Sequence, residues 1–323
     1  MSDNSAQTAP DAAYDVSIIV CTKDRGAELN KMLEHLGRAN VPEGWRVELM
    51  MVDNGSSDDT QGVVARAGLS NMDVRYLFKP LGGKVLAFHA GVEASSGRVL
   101  LMTDDDVHVP PNWIEDMCRP ILSGQADAVQ GGIGIAPHLE RPWLRGVLRQ
   151  WVASVEDPEF PPEGLVGANM ACSRVAVEAA GPLDERLGPG AAGFFEDTVL
   201  GWRLERAGYR KIFLPAVVVE HNFQADRLTI RSFMSAARRM AAARIIADED
   251  TGPHGPPPSV LSVLPQLPGL AARALTQLAG LAFGGRPDAG FMSRYYHFTL
   301  WQTKRAAAAA RAAHAGGALK PAR

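Results

Sequence analysis

The chain has 323 residues, 46% hydrophobic and 21% charged, with a net charge of −3. This is a globular composition, long enough for one large domain and a smaller appendage, and it has no basic field of the kind that gathers nucleic acid. Cys21, Cys118 and Cys172 form neither a zinc pattern nor a disulfide framework, which fits a reducing compartment.

Residues 1–14 are polar and lack the basic and apolar regions of a signal peptide, so they are expected to be a disordered lead-in. Residues 16–22 are a short β-branched run, which predicts a buried strand. Leu29, Met32, Leu33 and Leu36 then recur at helical spacing. Residues 46–53 form a second strand that breaks in the turn and cap cluster 54–60, and a helix is expected over 61–67. A third strand covers 73–79. Residues 84–95 read as a helix with Val85, Phe88, Ala90 and Val92 on its apolar side, and a fourth strand covers 99–103. Such alternation predicts an α/β fold with a doubly wound, mostly parallel sheet flanked by helices. Ligands of these sheets sit beyond the carboxyl ends of the strands, where Thr22, Asp53 and Asp104 all lie.

The fourth strand closes in three acids, Asp104, Asp105 and Asp106. Charge delivered to a sheet edge is costly unless a cation or ligand meets it. If extended geometry persists, Asp104 and Asp106 point one way and Asp105 the other. Two hard oxygen ligands on one side suit Mg²⁺ or Mn²⁺; the alternative is a solvated acidic turn.

The second half is less regular. Residues 126–135 look like a strand with glycines, and 165–172 like another. Residues 196–207 have helical spacing through Val199, Leu200 and Leu204. Residues 209–219 read as a strand that Pro215 confines to an edge or bends, and 227–247 as a long helix rich in arginine. A Gly/Pro-rich break over 251–258 separates this body, 15–250, from a C-terminal helical extension, 251–323. The apolar stretch 260–283 is interrupted by Pro265 and Pro268. It is expected to pack as a helical hairpin on the body or to touch a membrane interface, and not to span a bilayer.

Four segments in this order resemble the family-two glycosyltransferases of the GT-A fold: 17–25, 52–60, Thr103-Asp104-Asp105-Asp106, and Phe195-Glu196-Asp197 with 202–209. The resemblance covers about residues 15–225. It implies an inverting, metal-dependent enzyme that uses a nucleotide sugar, with a UDP-sugar as first choice. Its acceptor would be a glycan, a lipid-linked molecule or a small molecule, its compartment the cytoplasm or the inner membrane face, and nucleic acid would not be a partner. Asp53 matches the carboxylate that accepts a base N–H, or else it is a turn residue. Thr22 and Arg25 match the residues lining nucleoside and diphosphate. Lys84, after Gly82-Gly83, is a partial match for a phosphate contact. Asp106 matches the metal ligand, Asp104 shares the metal or holds the ribose, and Asp105 is assigned to the donor. His221 stands where relatives place a third ligand, or is structural. Asp197 is the implied general base and Glu196 its alternative or an acceptor-orienting group, although two acids also suit a first helical turn. Asn169 and Trp202 are implied on the acceptor side, with a core role the alternative for Trp202. The turn Thr22-Lys23-Asp24-Arg25-Gly26 lacks the glycine fingerprint of a dinucleotide oxidoreductase. Both acidic motifs argue against a catalytically silent nucleotide-sugar module.

Overall fold

The computed structural model describes residues 13–80, 82–159, 161–251, 273–277, 279–280 and 285–317. Most of the expected lead-in and of the apolar stretch 260–283 therefore lies outside the described residues. Tyr14, expected in the lead-in, already belongs to the first strand.

The described residues divide into two compact units. The first comprises Met1–Leu139, Ala153–Ala191 and Glu196–Phe223 and is built on one eight-stranded sheet. Strand β1 (Tyr14–Thr22) lies between β2 (Val47–Asp53) and β4 (Gly97–Asp104), with β3 (Asp73–Phe78) beyond β2, all parallel. Every residue of β2 is buried, as expected of a strand covered on both faces. One covering helix is α1 (Gly26–Leu36), whose Leu29, Met32, Leu33 and Leu36 are buried as their spacing predicts. Helix α2 (Thr60–Arg66) follows β2. Helix α3 (Lys84–Ala94) follows β3 but buries Val85, Ala87, Ala90 and Gly91. Phe88 and Val92, expected in that face, are only half-buried. Gly91 decides this, because a Cβ there would stand 2.9 Å from Ile19 and 3.0 Å from Val52. The helix is pressed onto the sheet at its smallest residues.

Beyond β4 the sheet becomes mixed. Strand β5 is the two-residue piece Val107–His108, and α4 (Trp113–Leu122) buries Trp113, Ile114, Met117, Cys118 and Ile121. Strand β6 (Ala128–Ile135) and the short β7 (Met170–Ser173) pair antiparallel, and β7 pairs antiparallel with β4. The strand expected over 165–172 is thus shorter and opens with a 3₁₀ turn, Gly167–Asn169. Helices α5 (Val147–Trp151), α6 (Arg174–Ala180) and α7 (Glu196–Arg206) precede β8 (Lys211–His221). β8 runs parallel to β6, with a register shift between Gly131 and Gly132 where the partner jumps from Leu214 to Val218. The extra residues contain Pro215, which cannot donate to a ladder. A Cβ on Gly132 would lie 2.6 Å from the Pro215 carbonyl oxygen. Pro215 therefore bends the strand instead of ending it.

The second unit comprises Glu140–Val152, Ala192–Phe195 and Gln224–Arg323. It contains α5, a long helix α8 (Ile230–Thr251) that begins after the 3₁₀ turn Ala225–Leu228, and α9 (Ala289–Gly317). Trp151 packs against Phe233 of α8 and Tyr296 of α9, with ring centroids 6.4 and 6.0 Å away. No described helix is long and apolar enough to cross a membrane.

Candidate active site

The parallel strands end flush. Thr22 is in register with Asp53 and Asp53 with Phe78, while Cys21 pairs with Asp104. The first three strand ends named by the sequence therefore stand side by side.

The acid run does not stay extended. β4 stops at Asp104 and the chain turns through Asp105 and Asp106 into β5. Each acid meets a cation or donor. Asp104 accepts a hydrogen bond from the Lys84 ammonium. Asp105 accepts from Thr22 Oγ1 at 2.8 Å and pairs with Arg25 Nη1 at 2.9 Å. Asp106 Oδ2 accepts from Arg25 Nη2 at 2.7 Å. Burial pushes the Asp105 carboxyl up to about 7 against the pull of Arg25. Burial also opposes the Asp106 charge, but His221 and Arg25 outweigh it and its pKa falls.

His221 arrives by strand pairing. β5 lies antiparallel to the end of β8, with Val107 opposite His221, and the Asn222 N–H donates to the Asp106 carbonyl at 2.8 Å. Asp104, Asp106 and His221 each present a ligand atom, all within 4.8 Å of one another. Asp106 Oδ1 is buried without a hydrogen bond, 3.5 Å from His221 Nε2. A buried orphan oxygen is unusual. Two carboxylates and an imidazole form a donor set that a divalent ion such as Mn²⁺ or Mg²⁺ fits.

Helix α7 supplies the facing acids. Asp197 Oδ2 accepts from the Gly167 N–H and Oδ1 from the Thr198 N–H, each at 2.7 Å. Burial raises both acids, and Glu196 is pushed up to about 8, with the Asp197 charge adding to the effect. Both line a cavity of about 30 Å³ with Lys84, Cys21, Thr103 and Gly167. Burial pushes the Cys21 thiol up to about 12, so it is an inert wall. The loop of Gly188 and Gly190 closes on this edge: the Lys84 N–H donates to the Pro189 carbonyl at 2.9 Å.

Residues 17–161 match the family model described as glycosyl transferase family 2. Over this stretch, a little under half of its length, the chain is similar to the family 2 glycosyltransferases. AglE, a glycosyltransferase of Haloferax volcanii, is 26% identical over 119 residues, covering 36% of this chain and 39% of AglE. The succinoglycan biosynthesis protein ExoM of Rhizobium meliloti is 28% identical over 127 residues, covering 38% of this chain and 40% of ExoM. The match thus spans about two fifths of each relative's length. Among solved structures, the mannosyltransferase PcManGT of Pyrobaculum calidifontis, in complex with GDP-Man and Mn²⁺, superposes with a TM-score of 0.61 at 18% identity. That superposition covers 91% of this chain and 88% of PcManGT. GalNAc-T7, solved with UDP, GalNAc and Mn²⁺, gives 0.52 at 16% identity over 65% of this chain and 43% of its own. These likenesses establish the shared GT-A fold.

The expected site residues separate into two groups. Thr22, Arg25, Lys84, Asp104, Asp105, Asp106, Glu196, Asp197 and His221 lie in the connected network of acids and cations. Asn169 does not present its side chain to the cleft. It is fully buried, accepts from Trp113 Nε1 at 2.8 Å, and donates to the Gly132 and Val217 carbonyls at 2.8 and 2.9 Å. Trp202 is 3% exposed, so its ring is core and not a sugar platform. Asp53 is 1% exposed. Its Oδ1 accepts from the Ser56 N–H at 2.7 Å and its Oδ2 from the Tyr76 hydroxyl at 2.5 Å, so the turn contact is made and lone pairs remain for a further donor.

Three contributors escape a reading of the sequence. Tyr76 is one, its hydroxyl pKa raised by burial and by Asp53. The others stitch the two loops together. Asp24, at φ +50°, accepts from the Ser57 N–H at 2.6 Å, and Asp58 accepts from the Gly26 N–H at 3.0 Å. Their signal was the density of Asp, Asn, Ser and Gly after β1 and β2, which marks turns but not which loop each side chain will reach.

Proposed function

We propose that the protein transfers a sugar from a nucleoside diphosphate sugar, a UDP-sugar first, to an acceptor hydroxyl with inversion at the anomeric carbon. The observation that carries this reading is the convergence of Asp104, Asp106 and His221, with Lys84 linking Asp104 to the cavity that Glu196 and Asp197 line. The nucleotide complexes of the two solved relatives of the same fold support it.

Asp104, Asp106 and His221 would hold a divalent ion, which as a Lewis acid offsets charge developing on the leaving diphosphate. Asp53 accepts an imide N–H of the base, and Thr22 seats Asp105. Arg25 bridges Asp105 and Asp106 and so fixes the turn that carries the ligands. Asp197 takes the proton of the acceptor hydroxyl. Its two backbone N–H contacts favour the ionised form against burial. Glu196, whose pKa burial and the Asp197 charge raise, orients the acceptor. The acceptor is a hydroxyl of a glycan, a lipid-linked molecule or a small molecule.

The test is thermal shift with UDP, GDP and NAD, with and without Mn²⁺, followed by hydrolysis across a panel of nucleotide sugars. Metal-dependent stabilisation by UDP or GDP and none by NAD is expected. Asp197→Asn should lower turnover by about 10²–10⁴-fold while nucleotide binding persists. Turnover unchanged in that variant would remove Asp197 from its role. Binding without turnover of any sugar in the native chain would mean a module that only binds.

A further inference from the structure

Lys84 has a double allegiance. Its ammonium donates to Asp104, one of the three convergent ligands. It also stands beside the acids of α7: a Cβ on Gly167 would lie 3.6 Å from Lys84 Nζ and 3.4 Å from Asp197 Oδ2. The ammonium and the carboxylate thus both border the space that glycine at 167 leaves open. Burial opposes the Lys84 charge, but Asp104, Glu196 and Asp197 outweigh it and the pKa rises, so the group is a cation at any working pH. An ammonium and a divalent ion on one carboxylate repel each other strongly in a partly desolvated cleft.

We propose that Lys84 and a divalent cation exchange on Asp104: the ammonium holds this carboxylate in the metal-free protein and moves to the Glu196–Asp197 pair when the cation takes it. The proposal rests on reading Asp104, Asp106 and His221 as the ion site. The backbone is suited to a side-chain swing. Lys84 is the first residue of α3 and its N–H is fixed on the Pro189 carbonyl at 2.9 Å, so the four-carbon stem alone moves. The other cation of the cleft cannot do this, because the Arg25 guanidinium spans Asp105 and Asp106 together and would lose both. The exchange couples the two halves of the site. The ion arriving on the donor side delivers a positive charge to the acidic pair on the acceptor side, and lowers the cost of keeping Asp197 ionised there.

The experiment is a Mn²⁺ titration of the full chain without nucleotide, read by electron paramagnetic resonance of the free ion. Lys84→Met should tighten Mn²⁺ binding at least fivefold, with Lys84→Gln as a second variant and melting curves to confirm folding. The Glu196→Gln, Asp197→Asn double variant removes the alternative berth, so it should weaken Mn²⁺ severalfold in the native background and have little effect alongside Lys84→Met. Unchanged or weaker binding in both Lys84 variants overturns the exchange. So does an acidic-pair effect of equal size in the two backgrounds, which would be a direct field and not a relay. If Mn²⁺ binding is lost in Asp106→Asn but indifferent to Lys84, the ion site stands and only the exchange falls. If the native chain binds no Mn²⁺, both fall.

Discussion

Asn169 shows how a side chain at the right address can face the wrong way. It lies directly before β7, close in sequence to Gly167, whose N–H holds the proposed base. Its amide nevertheless ties α4, β6 and β8 together from within the core. Truncation to alanine would strand the Trp113 N–H and two carbonyls in a dry interior, at a cost on the order of 3 kcal/mol. Asn169→Ala should therefore lower the urea midpoint sharply while the folded fraction keeps its kcat/KM. A role at the acceptor would show the reverse: a raised acceptor KM with stability intact. Residue type and strand position marked Asp104 and Asp106, because a charge at the end of a buried strand must find a partner, whereas His221 came only from the family resemblance. Type and position could not say which side of a 3₁₀ turn an asparagine would face, left Trp202 open between core and sugar, and missed Tyr76 altogether.

At the scale of elements, the regular first half was readable because strand, helix and turn each carry a period. What the sequence hid were contacts between elements that obey no period. The two-residue β5 is too short for alternation to register, yet its pairing with β8 sets His221 beside Asp106. The crossing of the 188–190 loop over the start of α3 is equally silent. Gly190 has φ +91°, and a Cβ on it would stand 2.8 Å from the Gly83 Cα, a backbone contact that cannot yield. Gly190→Ala should cost about 1–3 kcal/mol from strain alone, and more from the clash. Gly44→Ala is the control, since Gly44 has φ +80° and open space around it, leaving only the conformational penalty of about 1 kcal/mol. Chemical denaturation of the two variants side by side isolates the crossing. Equal losses would mean that α3 can shift away from the loop.

At the scale of the molecule, the division into two units was the least readable feature, because the second unit gathers Glu140–Val152 and Ala192–Phe195 from inside the first. Sequence boundaries follow composition, and these pieces join by contact. That unit carries its own charge clamp. Asp248 of α8 accepts from Arg244 Nε at 2.8 Å and from Lys304 Nζ of α9 at 2.8 Å. Burial works against its charge, but the two cations prevail and its pKa lies below the ordinary aspartate value of about 3.9. The ionised form therefore belongs to the folded state more than to the unfolded one. The stability it adds is complete above the unfolded value and is lost as pH falls through the lower folded value. Asp248→Asn should speed hydrogen exchange of the α8 and α9 amides roughly three- to tenfold at pH 7, the scale of a charge-assisted pair with limited exposure. The native chain and the variant should converge once the pH drops below the folded value of Asp248. A gap that persists undiminished into that acid range would show that the asparagine disturbs packing, and that the clamp between the two helices is not electrostatic.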